Sequence, residues 1–218
     1  MEAEAKWNEW NLTKDVIMAE NVDSFPPQLC LQGNGRLLTE SLYSLLIQVL
    51  PKQLKDRTFS TVYSSFEDGY SIMRLLQLSP KRTPTILLLQ LAKDEFIGLY
   101  REDEWVNRND SYGSINTYLW QITNNHINCW KGERVEGLPH VIYVRSTNEA
   151  ILIGAGGRKG MALHISSDFS KGYSEESDVF DNPPLHKQLI FPIQNAELYS
   201  ILYSCSTNNK QSHIILRK

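Results

Sequence analysis

"GAGGRKGMALHISSDFSKG" (residues 154–172) places four glycines around a basic pair and then runs into a histidine, two serines and an aspartate. Three readings compete for it: glycines that cradle a phosphate, a catalytic triad, and a turn of the chain between strands. A phosphate loop of the GxxxxGK[ST] kind needs a lysine and a hydroxyl in register, and after Gly154 the chain reads Arg158-Lys159-Gly160 with neither Ser nor Thr there. A dinucleotide GxGxxG would need glycine at 159, which is Lys159. No helix signal follows, so the helix N-terminus that holds phosphate in such folds is missing. The turn reading stands.

The flanks agree with it. "HVIYVRS" and "AILIGAG" precede the crossing as a hairpin around Thr147–Glu149, and "MALHI" follows as a further strand. Upstream, "TILLLQL" and "EFIGLY" form another hairpin, and "NTYLWQI" and "HINCW" flank Asn124-Asn125, residues that tolerate positive φ in a tight turn. Two helices come first. "LLTESLYSLLIQVL" spaces Leu38, Leu42, Leu45, Leu46, Val49 and Leu50 by threes and fours before Pro51, and "YSIMRLLQL" turns Ile72, Leu75 and Leu76 inward after Asp68-Gly69. "LIFPI", "AELYSILYS" and a terminal "HIILRK" complete the strands. The pattern predicts an α+β protein, a two-sheet antiparallel β-sandwich flanked by helices. Residues 1–36, broken by Phe25–Pro27 and by Gly33 and Gly35, read as a leader carrying Trp7 and Trp10, and 37–218 as the domain.

Bulk properties narrow the function. The 218 residues suit one core, with 41% hydrophobic and 22% charged residues. A net charge of −3 gives no basic field for nucleic acid, and no apolar run is long enough to cross a bilayer. The acidic start lacks a secretory signal. Cys30, Cys129 and Cys205 show no metal or redox spacing, which fits free thiols in the cytoplasm. The five histidines are scattered, so neither a metal nor a cofactor is expected.

Chemistry finds few footholds. His164, Ser166 and Asp168 share a strand face by period two, but in a line without an oxyanion hole or a nucleophile raised on a turn. The run "REDEWVNRND" (101–110) reads as a solvated loop anchored by Trp105. Trp105 and Arg108 there, and Arg158 and Lys159 after the glycines, are the candidate contacts for a protein partner.

In order, these landmarks resemble the TLDc domain, the module of the oxidation-resistance proteins. "LLTESLYSLLIQVLP" is similar to the family's opening helix, "FSTVYSSFEDGYSIMRLL" to its Tyr-Ser, Asp-Gly and helix pattern, and "PTILLLQLAKDEFIGLY" and "YGSINTYLWQI" to its next strands. The opening stretch, extended to Leu185, resembles the family's Gly-rich segment and its Gly-x-Ser to Asn-x-Pro-Leu run. Asp68, Gly69, Gly98, Gly154, Gly156, Asp168, Gly172, Phe180 and Asn182 thereby become structural motif positions. "NAELYSI" stands where Glu-Val-Trp is usual. Ala155, Ser166-Ser167, Ser177 and Val179 depart from the pattern, and Ser177 replaces a common cysteine, so no peroxide chemistry can rest on it.

The resemblance implies a β-sandwich without established catalysis, protection against oxidative stress, and association with the vacuolar proton-pumping ATPase, to which a cytoplasmic protein would be recruited. It points to docking on the soluble sector of that ATPase, or on another large assembly, through the loops at 101–114 and 166–187. Two alternatives remain open: a fixed structural subunit of a larger assembly, and a hydrolase or peroxide-handling enzyme built on His164 and Asp168 or on a cysteine.

Overall fold

A computed structural model of the chain describes residues 28–55, 57–134, 142–155 and 158–202. Thirteen strands among them form two sheets. In chain order they are β1 Cys30–Gln32, β2 Thr58–Ser64, β3 Thr85–Ala92, β4 Glu95–Arg101, β5 Arg108–Tyr112, β6 Tyr118–Thr123 and β7 His126–Lys131, followed by β8 Ile142–Ser146, β9 Ala150–Ala155, β10 Leu163–Ser166, β11 Lys171–Tyr173, β12 Ile190–Pro192 and β13 Asn195–Leu202. The first sheet runs β1-β2-β13-β3-β4-β6-β7 and the second β12-β11-β10-β9-β8-β5. Every pairing is antiparallel except β1 with β2. The α+β sandwich expected from the sequence is the fold observed.

Helix α1 (Glu40–Val49) starts where Thr39 Oγ1 accepts the amide of Leu42 at 3.3 Å and stops before Pro51. It buries Leu42, Tyr43 and Leu46 on the outer face of the first sheet, against Ile86, Leu88, Tyr100 and Trp120. The other face of that sheet, with Leu87, Leu89, Ile97 and Leu99, meets Val144, Ile151, Ile153, Leu163 and Ile165 of the second. Two short helices, α2 (Ser65–Asp68) and α3 (Ile72–Leu78), close one end, and Ile72, Leu75 and Leu76 point into this inner core as predicted.

Covered on both faces, β3 is buried at Thr85, Ile86, Leu87, Leu88 and Leu89 in succession, hence the unbroken apolar run "TILLL". The second sheet differs. Along β10, Leu163 and Ile165 are buried while His164 and Ser166 are half-buried, the alternation of a sheet with one face in contact with the core only. Among the described residues no helix lies over its outer face.

Two glycines are fixed by geometry. A Cβ at Gly98 would stand 2.0 Å from the Leu87 carbonyl oxygen and 2.4 Å from the Trp120 ring. Gly154 has φ 66° and touches Ala162 and Phe180, so a side chain there would be both strained and obstructed. Asn124 and Asn125 take φ of 50° and 63°, the tight hairpin turn expected between β6 and β7.

Several expectations change. Strand β1 lies on the leader side of the 36/37 boundary and pairs with β2, so the sheet begins earlier than the period suggested. In "REDEWVNRND" most side chains are exposed around a buried Trp105, as expected, but Arg101 is fully buried and β5 begins at Arg108. The irregular stretch 166–187 contains β11 and buries Ser174, Val179, Phe180 and Leu185. Trp7, Trp10, Phe25, Gly156, Cys205 and the terminal "HIILRK" lie outside the described residues.

Candidate functional site

The Gly-rich crossing is built into the fold from its backbone outward. The Gly154 carbonyl accepts the Ser177 hydroxyl at 2.6 Å, the Ala162 carbonyl accepts that of Ser174 at 2.7 Å, and Ser174 Oγ accepts the Leu185 amide at 2.8 Å. Asn182, 1% exposed, donates through Nδ2 to the carbonyls of Glu175 and Pro183. Phe180 seals the crossing against Gly154. Buried polar groups need partners, and these serines and the asparagine tie the 174–185 segment to β9 and to the start of β10. Gly172 packs under the Phe191 ring. At the first sheet Asp68 accepts the Ser64 amide at 3.1 Å, and the Gly69 carbonyl accepts the Tyr63 hydroxyl at 2.6 Å.

The proposed contacts separate. Trp105 is a core residue whose indole N–H donates to Thr85 Oγ1 at 3.1 Å, so it offers no surface to a partner. It stands in the irregular stretch between β4 and β5, and one of the charged residues near it, Arg101, is itself buried between the Trp105 and Tyr112 rings at 4.7 and 4.8 Å. Burial holds the Arg101 guanidinium below its usual range. Arg108 is exposed and pairs with Asp110. Lys159 pairs with Glu176 at 2.6 Å, while the amides of Arg158 and Lys159 both donate to Asp178 Oδ2. Arg158 is exposed.

The line of His164, Ser166 and Asp168 does not assemble into a relay. Asp168 Oδ1 accepts the Ser170 amide at 3.0 Å and the Ser170 and Ser166 hydroxyls at 2.8 Å each. These bonds, the Ser170 amide first, hold its carboxyl down at about 2. Asp168 therefore shapes the turn from β10 to β11, while burial pushes the His164 imidazole below its usual range. Cys129 is an unreactive thiol, pushed up to about 12 by burial, and Cys30 is exposed. Among the described residues no three potential metal ligands come together, and no helix is long and apolar enough to cross a membrane.

What the structure adds is a surface. On the outer face of the second sheet, cross-strand register aligns Arg145, Leu152, His164, Tyr173 and Ile190 in one row over five strands. Between Met161, His164, Ser166, Lys171, Tyr173 and Ile190 lies an open trough of about 450 Å³. Ile190 and Leu189, 58% and 50% exposed, are the most exposed large apolar side chains among the described residues. The alternation of "LHIS" and the apolar pair Leu189-Ile190 are the sequence signals that could have found this face.

Glu197 was also missed. It is fully buried in β13 and accepts the amide of Arg36 at 3.0 Å, that of Leu37 at 2.8 Å and the Ser64 hydroxyl at 2.7 Å, together with the Tyr199 hydroxyl. Its signal was an acid inside the apolar run "NAELYSI".

Comparison with known proteins agrees with this architecture. The TLDc domain model matches residues 31–202, from the second residue of β1 to the last of β13. Mouse (Mus musculus) nuclear receptor coactivator 7 is 23% identical over 172 residues, covering 78% of this chain and 18% of that protein. Oxidation resistance protein 1 of Xenopus laevis is 24% identical over 184 residues, with 82% and 20% covered. The GTPase-activating protein skywalker of Drosophila melanogaster is 24% identical over 152 residues, with 65% and 26% covered. The chain thus spans about a fifth to a quarter of the length of these relatives. With the matched stretch coinciding with the whole described sandwich, the chain belongs to the TLDc domain family.

Proposed function

We propose that this chain is a TLDc interaction module that acts by binding protein rather than by catalysis, and that it docks through the outer face of its second sheet. The observation that carries this reading is the contrast within that sheet. Ser166 and Asp168 are engaged in building a turn, while the face beside them exposes Ile190, with no helix over it among the described residues. Exposed apolar surface of that kind is a mark of protein contact. The stretch 166–187 contributes Ser166, Lys171 and Tyr173 to this face, while in the loop at 101–114 Arg101 and Trp105 are buried.

The partner we propose is the soluble sector of the vacuolar proton-pumping ATPase, and the role is protection against oxidative stress from the cytoplasm. Support comes from the family resemblance and from relatives named oxidation resistance protein 1. The GTPase-activating name of skywalker belongs to a protein of which this chain matches 26%. The test is affinity purification of the tagged full chain from native extract, with the recovered subunits identified by mass spectrometry. Soluble-sector ATPase subunits are expected in repeated preparations. Their consistent absence overturns the partner.

A further inference from the structure

The interaction-module reading leaves open what chemistry the outer face takes, and the trough answers from its lining. Tyr173 lies between His164 and Ile190 in the transverse row, so the floor and one wall are aromatic and aliphatic. Lys171 sits two residues before Tyr173 on the same strand face, opposite Pro192. Residues two apart on a strand stand about 7 Å apart.

The charges in the trough are unequal. Burial keeps the His164 imidazole neutral at neutral pH. The Tyr173 phenol, beside Glu175, is pushed up to about 12 and also stays neutral. The Lys171 ammonium is exposed, and no acidic side chain among the described residues forms an ion pair with it. Asp168 is near in sequence, but its bonded oxygen is held by Ser166 and Ser170. One positive charge, that of Lys171, therefore stands beside an apolar slot at the spacing of alternate residues in an extended chain, while the Glu175 carboxylate is engaged by the Tyr173 hydroxyl.

We propose that this trough binds an extended segment of a partner protein carrying an apolar side chain and, two residues along, a carboxylate. The apolar side chain lies over Tyr173 and Ile190, and the carboxylate pairs with Lys171. Two other occupants fit less well. A second copy laid face to face about an axis near Lys171 would set the lysine of one copy against that of the other, a like-charge meeting that disfavours association. A strand added to the edge at β12 would meet Pro192, which has no amide to donate. Only the face is left.

The test uses the full ¹⁵N-labelled chain and two short blocked peptides, acetyl-SLSES-amide and acetyl-SLSKS-amide, followed by amide chemical shifts. The glutamate peptide is expected to give saturable shifts at residues 161–173 and 190, with roughly tenfold weaker binding of the lysine peptide. Lys171→Glu, at an exposed position, should reverse the preference, and Ile190→Asp should weaken both. Equal shifts from both peptides, no shifts in this region, or an unchanged preference in Lys171→Glu overturns the proposal. So does a concentration-dependent shift of the same amides without peptide, which would mark self-association. If the peptides fail while ATPase subunits still co-purify, the module reading stands and the trough is wrong. Peptide binding without ATPase recovery removes that partner alone.

Discussion

At the scale of single residues, the line of polar side chains along β10 and its turn is scaffolding. Asp168 shows it most directly, because the folded state holds its carboxyl at about 2 while an unfolded chain titrates near about 3.9. A depressed folded value means that the stabilisation is present above the unfolded value and is lost as pH falls through the folded one. The carboxylate is exposed, so the contribution is small. Asp168→Asn should therefore melt below the wild type at pH 7, with the gap closing between about pH 4 and pH 2. Thermal melts of both proteins across that range, with a ¹³C titration of the carboxyl, check it; a carboxyl midpoint near 4 contradicts it. Composition could place Asp168 in a turn, but not its three donors, because the partner Ser170 lies in a turn closed by the pairing of β10 with β11.

At the scale of elements, β13 joins the front of the chain to the core. Glu197 collects the amides of Arg36 and Leu37, and Tyr199 takes that of Leu38 at 3.1 Å, so the approach to α1 hangs on one strand. Burial pushes the Tyr199 phenol up, with the neighbouring Glu197 charge adding to the effect, so it remains a donor to the carboxylate. Removing a buried charged acceptor orphans its donors, and Glu197→Ala should cost about 3 kcal/mol. Urea denaturation gives that number, and hydrogen exchange should quicken first at Arg36 and Leu37; an unchanged midpoint contradicts the tie. Elements with a clean period were legible, α1 from its leucines and β3–β4 from its hairpin. Strand β1 and strand β11 were not, being three residues each, too short to carry a period. Trp105 was legible as an anchor but not as closed to a partner, because Arg101 near it is sheathed by two aromatic rings, a tertiary contact no local composition reveals.

At the scale of the molecule, the layers among the described residues are helix, sheet, sheet, and then an open face. The difference between the two sheets was written in the periodicity, continuous in "TILLL" and alternating in "LHIS", whose shared face for His164 and Ser166 was legible. The location of the surface was less legible, because Ile190, Tyr173, His164 and Leu152 come together only through cross-strand register. The central claim, that this face is where the module docks, is tested most directly by quantitative affinity purification of the wild type beside Ile190→Asp and, as a control at an exposed apolar side chain on α3, Met73→Asp. The account predicts that Ile190→Asp loses the proteins recovered by the wild type, ATPase subunits among them, while Met73→Asp retains them and both variants keep the wild-type melting transition. Recovery by Ile190→Asp equal to that of the wild type would contradict it.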